Sequence, residues 1–299
     1  MKKHVYILIL AAICVTSFIS PNQTIAATSN SKATTAVWKP QTPEGYRSIK
    51  WTNARGVASF MKAPTSTAGF IDYLTLVYLP YNEIRLITSS TPRIEWASGT
   101  PPLDDEAIRN WAFTKMVTEQ AKDANPKATF FWDMPFHNVT LNPTDLSFAL
   151  KSKDKQGVYF TSGSRPEEDM LEPRRLLIIN NKTGLATTTI FDETIFKTSK
   201  ADQIFEGFDP AVVPRGSATT SARLYIGVKP NGKEMVVYCS RGASPSEASD
   251  ALLAAGVPLE GQVQADGGNS TTCGYNLPGQ YFVEPGRMLP HLMATFPKK

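Results

Sequence analysis

Val263-Gln264-Ala265-Asp266-Gly267-Gly268-Asn269-Ser270-Thr271 is the stretch on which the reading of this chain turns. A short apolar run leads into an acid, a pair of glycines and three polar side chains. Paired glycines let the backbone turn tightly and bring its N–H groups close to a ligand that a side chain would hold away. Immediately upstream, Glu234–Cys239 reads as a strand and Ser246–Ala255 as a helix. With Val263–Ala265 they compose a βαβ unit. Asp266 then lies at a strand's carboxyl end, where open α/β sheets place their ligands. Taken alone, an Asp-Gly-Gly triplet is simply a turn.

Further out, the chain reads as short strands. Tyr46–Phe60 and Phe70–Ser89 are strand segments, with Ile84–Ile87 returning from a turn at Tyr81-Asn82. Ala128–Trp132 is a short buried strand followed by Asp133-Met134-Pro135-Phe136-His137-Asn138. Phe148–Leu150, Val158–Thr161, Arg175–Asn180 and Leu185–Phe191 are separated by turn-forming residues, the rhythm of antiparallel hairpins. Phe205–Pro214 reads as a loop leading into the strand Arg223–Val228 and the hairpin turn Pro230-Asn231-Gly232. Gln280–Glu284 and Leu289–Phe296 are the final strands. One long helix runs from Asp104 to Lys122, with acids at its N-terminus, Ile108, Trp111, Ala112 and Met116 along one side, and Asn125-Pro126 as its stop. The expected fold class is mixed α/β (α+β). It is a β-sheet-rich single domain, residues 44–299, with a C-terminal βαβ unit carrying the Asp-Gly-Gly loop and one long N-terminal helix packed on the sheet.

The beginning of the chain is of another kind. Lys2-Lys3, the apolar run Val5–Ile19 and the small-residue site Thr24–Ala27 follow the order of a secretory signal peptide, residues 1–26. The run is shorter than the roughly 20 residues of a membrane span. Residues 27–43, rich in Thr, Ser, Ala and Pro, read as a flexible lead-in. No later stretch is long and apolar enough to span a membrane, so a secreted, periplasmic or extracellular protein is expected. Losing Lys2 and Lys3 with no acid lowers the formal charge from +4 to +2. A mildly basic balance without a Lys/Arg cluster makes no case for nucleic acid, and nothing in the pattern marks an oligomer interface. Cys14 leaves with the signal, so Cys239 and Cys273 remain in a compartment that permits disulfides. A bridge between them would tie the Asp-Gly-Gly loop to the neighbouring strand; two buried thiols are the alternative.

The order of segments over Arg223–Phe296 resembles the phosphodiester glycosidase family, relatives of the enzyme that uncovers mannose 6-phosphate by removing N-acetylglucosamine. Arg223-Leu224-Tyr225-Ile226-Gly227 stands where the family has an R-T-A-I-G-like strand, followed by the Gly232-Lys233 turn. The helix, Asp266–Ser270 and Gly286-Arg287-Met288-Leu289-Pro290-His291 then take the places of its helix, D-G-G-G-S-like loop and R-x-x-x-N segment. Three departures stand out. Asn269 replaces the third glycine, and His291 falls near the family's Asn. The Asn-Gly-Gly-Phe-Phe-like segment has no glycine pair at residues 133–138.

The resemblance implies hydrolysis of a sugar joined through its anomeric carbon to a phosphodiester. Such a substrate asks for cations or N–H donors at the phosphate, hydroxyl partners for the sugar and a carboxylate for the developing oxocarbenium charge. Arg223 and Arg287 match the family's arginines and suit a phosphate. Gly267, Gly268 and Asn269 with the hydroxyls of Ser270 and Thr271 would form an anion nest. Asp266 is the expected catalytic carboxylate and His291 the candidate acid, while Asp133 and His137 are candidate substrate-binding residues. No cofactor is required, and a hard divalent cation is compatible with Asp266 and a phosphate. Two rivals stay open. One is a conventional glycoside hydrolase pairing Asp266 with Asp133 or another acid, and the other is a secreted glycan-binding protein on the same fold.

Overall fold

The computed structural model describes residues 37–49, 55–64, 69–88, 94–96, 127–134, 146, 148–153, 159–162, 173–210, 220–275, 280–287, 289 and 291–299. The expected signal peptide, the helix over 104–122 and His137 lie outside these residues. What is described is mostly β-sheet, in two sheets whose ladders are all antiparallel. The larger runs β1 (Arg47–Ile49), β2 (Val57–Lys62), β3 (Asp72–Tyr78), β13 (Glu234–Ala243), β12 (Ser221–Val228), β14 (Gln262–Gly267), β11 (Gln203–Phe208), β7 (Leu150–Lys153), β8 (Tyr159–Ser162) and β5 (Ile94–Trp96). Within it β11 also pairs with β9 (Arg174–Asn180), which carries β10 (Leu185–Ile190). The smaller sheet runs β16 (Gln280–Val283), β15 (Cys273–Tyr275), β6 (Phe130–Trp132), β17 (His291–Pro297) and β4 (Asn82–Thr88).

Side-chain alternation explains how the sheets meet. Leu224, Ile226 and Val228 of β12, Met235, Val237 and Cys239 of β13, and Val263 and Ala265 of β14 share one core. Phe130, Trp132, Cys273, Val283 and Met293 of the small sheet belong to the same core. The intervening residues Tyr225, Val236 and Tyr238 pack instead under a helix, α2 (Pro245–Ala254), the shorter α1 being Glu193–Thr198. Period-two alternation thus gives each central strand two buried faces. The α2 helix starts where its chemistry demands. Ser244 accepts the Glu247 N–H at 3.2 Å, Glu247 Oε2 accepts the Ser244 N–H at 2.7 Å, and Pro245 takes the first turn. Its Ala248, Ala251 and Leu252 pack among Leu74, Leu76, Tyr225 and Tyr238. A Leu buried this way contributes about 1.5–3 kcal/mol.

Four expectations change. First, β13 and β14 are not neighbours: each pairs antiparallel with β12, which lies between them. The helix therefore joins two parallel strands across an intervening antiparallel one. Second, β4 does not return beside β3. Pro80 sits in a 3-10 corner, Leu79–Tyr81, that sends the chain into the other sheet, and Asn82 Nδ2 ties the corner to three carbonyls at 3.1 Å. Third, the expected loop at Phe205–Pro214 begins as a strand. Gln203, Glu206 and Gly207 interrupt the apolar pattern of β11. Gln203 and Glu206 are nonetheless buried, Glu206 ion-paired to Arg174 at 2.9 Å and Gln203 accepting from Ser152 at 2.5 Å. Fourth, the end of the expected lead-in is docked. Trp38 stacks on Tyr78 at 5.5 Å and donates to Glu234 Oε1 at 2.5 Å.

Candidate functional site

The decisive stretch is the crossing point between the sheets. β14 ends at Gly267 in the large sheet, a 3-10 turn spans Gly268–Ser270, and β15 opens at Cys273 in the small one. The expected disulfide is present: Cys239 of β13 and Cys273 of β15 are bridged with Cα atoms 6.5 Å apart, so it fastens sheet to sheet beside the turn.

Two irregularities flank Arg223. Between the pairs Tyr225↔Gln264 and Arg223↔Gly267, β14 carries one more residue than β12. Between Arg223↔Ser240 and Ser221↔Ala243, β13 does the same. Such bulges re-aim side chains and break the alternation a sequence pattern relies on. The first bulge falls at Ala265-Asp266. Arg223 is buried between the two, with Nε donating to the Ala243 carbonyl at 3.3 Å.

Asp266 and Asp133 come together here, one from each sheet. Each carboxylate accepts the N–H of the residue after it, Gly267 at 2.5 Å and Met134 at 2.8 Å. The other oxygen of each is buried, and the two carboxyls lie close enough to interact directly. Asp133 also donates its own N–H to the Thr272 carbonyl at 3.1 Å, which locks it to β15. Asp133 is 0% exposed and Asp266 4%. Burial first, then the charge of Asp266 and the hydrogen bond to it, push the Asp133 carboxyl well above the usual carboxylate range; the Arg287 guanidinium pulls it partly back. Asp133 therefore keeps its proton to higher pH than an ordinary carboxyl does.

The other expected residues fall around this pair. His291, fully buried, opens β17 two residues before Met293, the ladder partner of Trp132. That places it on the strand beside Asp133, at the same end of the small sheet. Asn269 is exposed and its carbonyl accepts the Gly286 N–H at 2.8 Å, which ties the turn to the segment carrying Arg287. Gly268 has φ +63° and open space where a Cβ would stand. The anion nest loses one member, because the Gly267 amide is taken by Asp266's own carboxylate.

A cavity of about 240 Å³ lies against the outer side of the turn, lined by Gly268, Asn269, Thr271, Arg241, Glu284 and Gly286 among others. Thr271 is buried, and its Oγ1 has no hydrogen-bond partner among the described residues. Sequence reasoning missed Arg241 and Glu284. Arg241 sits within the second bulge, and its only signal was the glycine after it. Among the described residues, no group of three or more His, Cys, Asp or Glu is arranged to hold a metal ion.

The architecture recurs among solved structures. It is shared with the zebrafish N-acetylglucosamine-1-phosphodiester alpha-N-acetylglucosaminidase catalytic domain, whose structure is described as auto-inhibited by its pro-peptide. The TM-score is 0.53 at 13% identity, over 85% of this chain and 89% of that one. A hypothetical protein from Synechocystis matches at TM-score 0.45 and 14% identity over 85% and 64% of the two chains. A Burkholderia pseudomallei protein whose name assigns it to export matches at 0.42 and 10% over 76% and 74%. Neither a family model nor a curated protein matches the sequence. At these identities the likeness is one of fold alone.

Proposed function

We propose that the protein is an exported hydrolase that releases a sugar from a sugar-1-phosphodiester, such as an N-acetylglucosamine-1-phosphodiester or a cell-envelope phosphoglycan. The observation that carries this reading is the meeting of Asp133 and Asp266 across the two sheets, within the field of Arg287 and beside the turn and its cavity. Water attacks the anomeric carbon, the bond from that carbon to the phosphate oxygen breaks, and the phosphomonoester leaves as an anion. Asp266 receives the proton of the attacking water and faces the developing positive charge. Asp133, whose raised pKa favours its neutral form, holds Asp266 in place by donating to it. Arg223 and Arg287 serve the phosphate, and Asn269 and Thr271 Oγ1 serve sugar hydroxyls. His291 is the acid available to the leaving oxygen, which a phosphate scarcely needs. A divalent ion carried in by the phosphate would meet Asp266, and no step depends on it. The buried disulfide, and the lack among the described residues of a helix able to cross a membrane, accord with export.

Direct contact of the two carboxyls weighs against a conventional glycosidase, because such enzymes hold their pair about 5–9.5 Å apart to bracket the scissile bond. The depth of the acid pair favours a different second reading, a glycan-binding protein that keeps the fold without turnover. Free sugar released from an N-acetylglucosamine-1-phosphodiester decides between them. Release by the parent that collapses in Asp266→Ala and Arg223→Ala supports the proposal. No release from several sugar phosphodiesters, with and without divalent ions, refutes hydrolysis.

A further inference from the structure

A second cavity, about 420 Å³, lies on the α2 side of the large sheet, away from the acid pair. Its floor is polar and built. Asp72 accepts the hydroxyl of the fully buried Tyr238 at 2.7 Å, and burial raises the Asp72 carboxyl above its ordinary range. Its rim carries Glu44, Glu247 and Asp250 with, among the described residues, one cation, Lys62, whose Nζ lies 5.9 Å from the Tyr46 ring centre. One wall is Phe70, 51% exposed, lying flat enough against the chain that a Cβ on Gly242 would come within 2.2 Å of its ring. An aromatic face left open in a cavity rimmed with hydrogen-bond acceptors matches the two sides of a sugar ring, whose C–H face stacks while its substituents reach polar groups. The acid excess over Lys62 attracts an ammonium and repels a phosphate.

We infer that this cavity binds an amino sugar bearing a free ammonium group. The ring lies on Phe70, and the ammonium meets Asp250, Glu44 and the Glu247 carboxylate. The site neighbours the cavity at the turn, though not the acid pair itself. Thr220 and Gly242 line this cavity, while their chain neighbours Ser221 and Arg241 line the one at the turn. A glycan held by its amino sugar here would extend across the β12–β13 bulge toward the turn. Binding here does not require the hydrolytic reading to be correct.

The test is calorimetric titration of the mature protein with a glucosamine oligosaccharide, its N-acetylated counterpart, glucose 6-phosphate and spermine. The glucosamine oligomer binds, acetylation weakens it about tenfold through loss of the charge–charge contact, and the sugar phosphate does not bind. Phe70→Ala and Asp250→Asn, both changes at exposed side chains that leave folding intact, each weaken binding about tenfold. Asp266→Ala leaves it unchanged. Binding lost in Asp266→Ala but kept in Phe70→Ala puts the ligand at the turn and overturns the inference. So does absence of binding, equal binding of the acetylated oligomer, or spermine binding as tightly, which would mark a general cation site. Sugar-phosphodiester hydrolysis that is absent while this binding persists removes the proposed function and leaves the amino-sugar site standing.

Discussion

Breaking the Cys239–Cys273 bridge is the perturbation whose size the structure fixes best. The two cysteines are 34 residues apart, and the closed loop contains α2, β14 and the whole turn at Asp266–Ser270. Chain-entropy theory gives a loop of that length about 12.6 cal/mol/K, or about 3.8 kcal/mol at 25 °C. Both cysteines are 1% exposed within the shared core, so the bridge lies outside reach of reductant in the folded protein. The cleanest assay compares urea unfolding of the parent in oxidising buffer with parent reduced in urea and refolded with reductant present. This leaves both sulfur atoms in the core and spares the double Cys239→Ala/Cys273→Ala variant's added cavity cost. The reduced protein should lose about 3–4 kcal/mol. Its m value should rise, because an unbridged unfolded chain exposes more surface. The proposed sugar release should fall further than stability at low urea explains, since Arg223 pairs with Ser240 beside one cysteine and Asp133 bonds Thr272 beside the other. A loss under about 1 kcal/mol with unchanged m would refute the reasoning: the loop would then be held as tightly in the unfolded chain without the bridge.

The acid pair makes a prediction of opposite kind. The folded chain keeps the Asp133 proton to higher pH than the unfolded chain does. Its contribution to stability is therefore whole below the unfolded pKa of about 4 and is lost as pH climbs through the raised folded value, each unit of elevation costing about 1.4 kcal/mol above it. Asp133→Asn keeps shape and can still donate to Asp266, so its urea midpoint should overtake the parent's as pH rises; parallel curves from pH 4 to 9 would dismiss the shared proton. A third change probes the seam between β11 and β14. A Cβ on Gly207 would stand 2.3 Å from the Gln264 carbonyl oxygen, which as backbone cannot yield. Gly207→Ala should cost about 3 kcal/mol in chemical denaturation, at the upper end of overpacking, and a loss below about 1 kcal/mol would mean that β14 shifts freely.

How much of this was legible beforehand depended on whether a feature was local. Alternation and turn chemistry are written into neighbouring residues, so most strands and the capped helix α2 could be read from the chain alone. The long-range pairing could not. Nothing in Glu234–Ala265 says that β12 will enter between β13 and β14, because that is decided by which apolar faces bury best together. The polar residues of β11 misled for a related reason. Glu206 and Gln203 look like solvent-facing residues until Arg174 and Ser152 arrive from distant strands to satisfy them.

The site shows the same division more sharply. Asp266, the glycines and the cysteine pair were conspicuous because turn and redox chemistry mark them. Asp133 was noticed as an acid near a strand's end and as a partner for Asp266 in the rival glycoside-hydrolase reading, but the rise in its pKa could not be foreseen. That rise comes from burial and from a sheet crossing that brings a second carboxyl against the first inside a core, a coincidence of two strands with no shared motif. The bulges complete the concealment. By strict alternation from Gln264, whose side chain reaches Tyr225 beneath α2, Asp266 would point to the helix side, away from β6. One extra residue in β14 breaks that phase, and only then can Asp266 meet Asp133. Deleting that residue would restore the pattern a sequence reader expects, and by the same step it would take the acid pair apart.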